Sequence, residues 1–574
     1  MGNDGMYLRL RDFRVIMEAH GLEAFLLQNT DEYQSEQVPD NLQRVRWLSG
    51  FSGSNAMLIV CRRGKNKFYT DGRYALQADI EVDKDYFDVY DLSKTSPADW
   101  LSENLPDGKV VGYDGELFSL RQIKKYEKFC LKMLPFIAID QMWHRCKAVP
   151  QQIVEHSIEF TGLASCDKRA TLASNMGDCE AVLITDTDAI SWLLNIRNLA
   201  FKYNPTVLSR AILYCDGSAD LFVADVAGVK IENPGVNVRP MDELLNVLKG
   251  LNNLAVDEAT IPMSIFCEIK DRVSSIGRES PCSVAKATKN ATEIAGMKKA
   301  HIRDGVAIVN FLYWLENKIA CGETVTELDA SHKVSEFRGQ QEMFLGESFE
   351  TISGYRGNGA IVHYRASESS NKVIEPDGLY LVDSGGQYCD GTTDITRTVA
   401  VGSPTIEEMT NFTLVLKGFI SLARAVFPEG TAGGSLDVLA RQHLWREGLD
   451  YGHSTGHGVG SFLSVHEGPQ AIALRNTVGL LPGMVLSNEP GYYKQGAYGI
   501  RVENLMYVER GSDGFCKFQQ LTCVPIDKKM IMRNMLSDEE REFIDRYHSF
   551  VYESIASRLD GQVKSWLDDA CKRL

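Results

Sequence analysis

The sequence lacks any apolar run approaching the roughly 18 to 20 residues needed to span a bilayer; the longest runs, such as Ala56 to Cys61, are strand-sized, and no membrane partner is expected. A secretory apolar block is missing too. The first thirty residues interleave Arg9, Arg11, Arg14, Glu18 and Glu23 with apolar positions, the pattern of an amphipathic helix. Met1-Gly2-Asn3 opens like a myristoylation signal, but Met6 stands where Ser or Thr is required. The thirteen cysteines are odd in number and form no CxxC pair, which argues against both a disulfide framework and a thiolate metal site. Reduced thiols and a cytoplasmic location are the expectation. Basic charge is also short: 61 Lys and Arg against 77 Asp and Glu leave a net charge of −16, which repels a phosphate backbone. Nucleic acid is therefore not an expected partner.

What is present is ordinary globular material, with 44% hydrophobic and 24% charged residues over a chain of 574. At roughly 100 to 200 residues per domain, that length holds about three to five domains. The first half carries an internal repeat. Gly21 to Leu27 follows the amphipathic helix and leads to Ala56–Val60 and Lys67–Tyr69; a second copy runs through Gly177–Ile184, Ile190–Asn195 and Ala211–Tyr214. Alternating helices and strand-sized apolar runs predict two related α/β domains, at 1–150 and 151–287.

The remainder, 288–574, begins with helical periodicity over Thr292 to Leu315, and Thr324-x-x-Glu327 has the form of a capping box for a second helix. Strand-like segments follow at Leu379–Asp383 and Ile395–Ala400, then helices at Ile406–Phe427 and Leu436–Glu447, then strands at Val485–Asn488 and Ile500–Val508. The tail from Ser537 reads as helical and charged, and the run Lys289, Lys298, Lys299 and Arg303 reads as a solvated helix face.

The chemistry sits in polar residues embedded in Gly-flanked, strand-like segments. Asp383 ends an apolar strand and Asp394 starts the next, with ten residues between them to form a hairpin-like turn that sets the carboxylates side by side. Two bare carboxylates within about 4 Å repel unless one is protonated or cations lie between them. His457, Glu489 and Glu503 meet the same demand. Four carboxylates balance two divalent ions, and an oxygen-rich set with one imidazole suits Mn²⁺, Co²⁺ or Zn²⁺. Such a pair generates a hydroxide nucleophile at neutral pH and polarises a carbonyl, which is amide-hydrolysis chemistry. His453, His457 and His466 add to the case, being three of eleven histidines and falling within fourteen residues. A zincin helix is excluded, because the stretch from Gly452 to Gly458 is too glycine-rich and no HExxH occurs.

Six ordered segments, Asp383–Tyr388, Gly391–Arg397, Thr455–Gly460, Val465–Pro469, Asn488–Tyr493 and Arg501–Asn504, closely resemble the Xaa-Pro aminopeptidase (aminopeptidase P) family in its three-domain eukaryotic cytosolic form. The resemblance implies two creatinase-like α/β domains, a C-terminal α+β pita-bread catalytic domain, two divalent metals (usually manganese) per subunit, and a homodimer. It further implies that Asp383 holds one metal, that Asp394 and Glu503 bridge, and that His457 and Glu489 hold the other. His363 and His466 become substrate-binding and proton-handling residues, His453 lines the proline-side pocket, Arg501 ties the carboxylates together, and Glu489 carries the proton. Ser454 and Asn488 stand where Gly and Asp are commoner in the family. The expected activity is cleavage before a penultimate proline in X-Pro-Y peptides. A proline dipeptidase with the same ligand set is the alternative; a non-catalytic pita-bread module that binds peptides or histones is a third. Whether Tyr492 and Tyr493 line the pocket or simply pack is left open.

Overall fold

The computed structural model describes residues 3–145, 150–227, 229 and 231–574. Its first compact unit runs to His156 and includes Leu163–Phe201 and Thr206–Ser283; the second comprises Ser157–Gly162, Lys202–Pro205 and Val284–Leu574.

The first unit contains the predicted repeat as two six-stranded sheets of the same topology. In the first sheet, Ala24–Gln28 lies between an antiparallel neighbour, Met57–Cys61, and a parallel one, Val110–Asp114. In the second, Ala181–Ile184 lies likewise between antiparallel Arg210–Tyr214 and parallel Leu254–Asp257. The outer strands repeat the same senses in both. These central strands are buried on both faces, which is why they read as continuous apolar runs and not as alternating ones.

In the second unit a 30-residue helix, Ala291–Ala320, opens with a capping box formed by Asn290 and Glu293. It extends past the periodic segment read from the sequence. The next helix, Glu327–Gly339, is capped by Thr326 with Asp329, not by Thr324 with Glu327. Glu327 is instead fully buried and accepts from the Tyr355 and Lys372 amides, Asn358 and Tyr364. The helix after it, Ile406–Ala423, stops short of the expected Phe427, because Val426–Pro428 joins a sheet edge.

Two more expectations fail for reasons of tertiary pairing. Ile500–Val508 is not one strand: Tyr498–Arg501 pairs with Gly491–Lys494, whereas Asn504–Arg510 pairs with Val485–Asn488. The chain changes sheets at Val502-Glu503. Nor is the basic run wholly solvated. Lys298 and Lys299 are exposed, but Lys289 is buried on Glu467 and Arg303 on Asp390, partners invisible to local sequence. The tail is helical, at Asp538–Ile555 and Gly561–Cys571, and contributes Ile544, Tyr547, Val551, Ile555 and Leu567 to the main core. Among the described residues no helix is long and apolar enough to cross a membrane.

Candidate metal centre

Strand ends converge to build the site. Gly378–Ser384 and Ile395–Val401 form an antiparallel pair in which Asp383 faces Thr396. Residues directly opposite share a sheet face, as do residues two apart along a strand. Asp383, Thr396 and Asp394 therefore project from one side. The turn between the strands is itself a small hairpin, Gly386–Tyr388 with Gly391–Thr392. Gly385 is required at its base, since a Cβ there would collide with Ser348 Oγ and the Thr393 carbonyl.

Glu489 and Glu503 come from a different sheet. Val485–Asn488 and Asn504–Arg510 pair with Asn488 opposite Asn504, so the next step of the register sets Glu489 across from Glu503 at the sheet's end. His457 lies in Gly456–Gly458, which also joins this sheet. Gly456 lets that strand approach closely, because a Cβ would run into the Ser487 carbonyl.

The result is a tight buried cluster. Ligand-type atoms of Asp394, His457 and Glu503 all lie within 4.8 Å of one another. His457 Nε2 is 3.4 Å from Asp394 Oδ2 and 3.5 Å from Glu489 Oε1. Its other ring nitrogen is 2.9 Å from the Gly458 carbonyl oxygen, the arrangement that puts the proton on Nδ1 and turns Nε2 toward the carboxylates. Burial pushes Asp394 and Glu503 well above the usual carboxylate range, and the neighbouring carboxylates push the same way. Burial raises Glu489 to about 7. Asp383 Oδ1 and Asp394 Oδ1 are buried without a hydrogen-bond partner. Four carboxylates, one imidazole and two orphaned oxygens fit a pair of divalent cations, which would supply the missing countercharge.

A hydrogen-bonded shell fixes the carboxylates. The fully buried Arg501 donates Nη2 to Asp383 and Nε to Thr396 Oγ1 at 3.0 Å, while Thr396 Oγ1 donates to Glu503 Oε2 at 2.7 Å. Arg397 reaches the Glu503 carbonyl and Asn504, and on its far side Tyr547 of the C-terminal helix. Ser487 Oγ donates to Glu489 Oε1 at 3.3 Å and accepts from the His457 amide at 2.9 Å.

The remaining predicted residues lie around this cluster. The His466 ring packs edge-on against His457, centroids 4.2 Å apart. His453 Nδ1 is 4.0 Å from Glu489 Oε2 and its Nε2 is 2.8 Å from Tyr493 Oη. His363 is half-buried on the loop whose preceding carbonyl, Val362, accepts from Arg501 at 3.4 Å. Tyr493 is a site member left undecided by the sequence: its hydroxyl accepts from Arg501 Nη1 at 2.7 Å and joins that guanidinium to His453. Its position four residues after Glu489, with Arg501 across the strand pair, was the available signal. Tyr492 packs against the core and Tyr498.

Comparison with known proteins agrees with this architecture. Residues 295–510 match the model of metallopeptidase family M24, and 514–574 match the C-terminal region of that peptidase family. Residues 9–146 and 144–293 each match a creatinase/prolidase N-terminal domain. A probable Xaa-Pro aminopeptidase P of Laccaria bicolor is 36% identical, over all of this chain and 95% of its own length. Aminopeptidase P2 of Arabidopsis thaliana is also 36% identical, over 95% of this chain and 85% of its own. Among solved structures, an X-prolyl aminopeptidase from Caenorhabditis elegans, described as a cytosolic enzyme with a di-nuclear active site, superposes with a TM-score of 0.94 at 33% identity, covering 99% of this chain and 100% of the other.

Proposed function

The chain belongs to the aminopeptidase P family of M24 metallopeptidases, and from that premise we propose that it removes the residue preceding a penultimate proline from X-Pro-Y peptides. The observation that supports this most is the convergence of Asp383, Asp394, His457, Glu489 and Glu503, from separate strand ends, into one buried anionic cluster. We divide the chain at 1–150, 151–287 and 288–574, and assign it to the cytoplasm as a homodimer. The sequence resemblance supports the dimer, and the cytosolic structural neighbour supports the location.

In this reading Asp383 would hold one divalent ion, His457 and Glu489 the other, and Asp394 and Glu503 would serve both. Manganese is the assigned metal, zinc and cobalt being the others that such a donor set accepts. A metal pair supplies Lewis acidity that activates water and polarises the scissile carbonyl. An X-Pro bond is a tertiary amide without the N–H that many peptidases grip, so recognition falls to other groups. Glu489, the one partly exposed carboxylate of the cluster, accepts the proton of the attacking water and delivers it to the departing proline nitrogen. His466 and His363 orient the carbonyl and donate to its developing negative charge. His453, held by Tyr493, lines the side that receives proline. Arg501 holds the Asp383 carboxylate in place through its Nη2 hydrogen bond.

The test is hydrolysis by the manganese-loaded protein. Release of the first residue from an X-Pro-Y tripeptide is expected. Cleavage of X-Pro dipeptides alone would make it a proline dipeptidase, and inert peptides together with tight peptide binding would make it a binding module.

A further inference from the structure

Between the helix Gly433–Trp445 and the strand Gly456–Gly458 lie ten residues, of which 446–449 close the helix with turn hydrogen bonds and 450–455 belong to neither helix nor strand. They include two glycines, Gly448 and Gly452, and the exposed Ser454. Beyond Leu449 no helix or sheet holds the backbone, so side chains must set the position of the 450–455 segment. Yet it carries His453, and its last residue, Thr455, accepts the Glu489 amide on its carbonyl at 2.7 Å.

One buried pair on the helix reaches the whole segment. Arg441 and Asp437 are one turn apart, with Arg441 Nε donating to Asp437 Oδ2 at 2.7 Å. Arg441 Nη1 donates to the Tyr451 carbonyl at 2.8 Å and to Asp450 Oδ1 at 2.8 Å, and Nη2 donates to the His453 carbonyl at 2.6 Å. Its guanidinium lies 3.9 Å from the centroid of the Tyr451 ring, which in turn contacts the His453 ring at 4.9 Å. Asp437 Oδ1 accepts from Thr455 Oγ1 at 2.6 Å, and the Tyr451 hydroxyl meets the same Thr455 oxygen. Arg441, Asp437 and Thr455 are all buried.

We propose that Arg441 and Asp437 are positioning residues that hold the Tyr451–Thr455 segment so that the His453 ring and the Glu489 backbone stand in register across the substrate site. The inference rests on the aminopeptidase reading for its kinetic consequence, not for its structural one. A buried ion pair is weak evidence of a purely stabilising role, because apolar residues of the same volume often stabilise as well or better. A planar fork that donates to two alternate carbonyls and two carboxylates while lying against a ring instead specifies geometry, and lysine cannot reproduce it.

The decisive experiment is a double-mutant cycle on the manganese-loaded enzyme with an X-Pro-Y substrate, using Arg441→Lys and His453→Asn. Displacement of a binding group by about 1 Å is expected to lower kcat/KM by roughly tenfold to a hundredfold. Because the effect passes through His453, Arg441→Lys should lower kcat/KM far less in the His453→Asn background than in the wild type. Metal content and melting temperature should stay close to wild type. Losses that simply multiply would overturn the proposal, as would wild-type kinetics in Arg441→Lys. Thr455→Val, which removes the hydroxyl bonds to Asp437 and to Tyr451, serves if Arg441→Lys does not fold, with the same expected non-additivity. Amide hydrogen exchange supplies a readout independent of turnover: amides of 451–455 and Glu489 should exchange faster in the variant, with the sheet amides of 504–510 unchanged. Unchanged protection at 451–455 would overturn the proposal even if the wild type proved inactive on X-Pro-Y, an outcome that by itself would sink only the aminopeptidase reading.

Discussion

At the scale of single residues, the controlling fact is that four carboxylates share one buried space. Burial raises the proton affinity of Asp394, Glu489 and Glu503, and the neighbouring carboxylates raise it further, so Glu489 is pushed up to about 7 when no cation is bound. A group poised there both accepts and returns a proton at neutral pH. Glu489→Ala is expected to reduce kcat by at least about a thousandfold, and metal analysis run alongside separates loss of the proton carrier from loss of an ion. Substantial turnover with both ions retained would remove Glu489 from the proton path. Gly456→Ala tests the surrounding backbone: a methyl group there meets the Ser487 carbonyl, so the His457 strand must shift away from Glu489. Metal affinity should fall at least tenfold by titration calorimetry, consistent with roughly 10- to 100-fold effects of disturbing the groups that orient ligands. These clustered carboxylates were legible in the sequence because strand-end acids flanked by glycine have no surface purpose. Tyr493 was not, since an aromatic after a turn looks the same whether it packs or binds, and only the fold brings it onto Arg501 and His453.

At the scale of elements, the C-terminal helix Asp538–Ile555 supports the site from behind. Tyr547 bonds Arg397, which holds the carbonyl of Glu503, and His548 Nε2 accepts the Ile526 amide at 3.1 Å. That bond requires neutral imidazole, and burial lowers the His548 pKa to about 3. An unfolded histidine titrates near 6.5, so the unfolded chain binds the extra proton. The stabilising contribution is complete above that pH and is lost as pH falls from about 6.5 toward 3, at about 1.4 kcal/mol per unit. His548→Gln offers a non-titrating acceptor and is expected to flatten this part of the acid denaturation curve. Equal pH slopes for the two proteins would show that His548 does not contribute. Little of this was readable in advance. The tail's charge pattern reveals a helix, but its buried partners Arg397 and Ile526 lie 150 and 22 residues away in sequence. Lys289, 178 residues from Glu467, was misread for the same reason. By contrast, the sheet repeat was legible, because apolar runs buried on both faces announce themselves locally.

At the scale of the molecule, stability and metal binding are one equilibrium, since ions that bind only the folded chain stabilise it. The sign of its pH dependence follows from the raised carboxylates. In the metal-free protein Glu489, Asp394 and Glu503 have folded pKa values above their unfolded ones, so their contribution favours folding below about pH 4 to 4.5 and is lost as pH rises, for Glu489 through about 7. The metal-free protein is thus at its weakest in this respect at neutral and alkaline pH, where the anions repel. Cations need those same carboxylates deprotonated, so their affinity rises over the same interval. Both effects enlarge the difference between loaded and stripped protein as pH increases. At an ion concentration a hundred times the dissociation constant the gain is about 2.7 kcal/mol. The rise in melting temperature on adding manganese to chelator-stripped protein should therefore be clearly larger at pH 8 than at pH 6, with protons released on binding at pH 6 to 7. A manganese-induced shift that is independent of pH, or greater at pH 6, would mean that these carboxylates are not the groups that hold the ions.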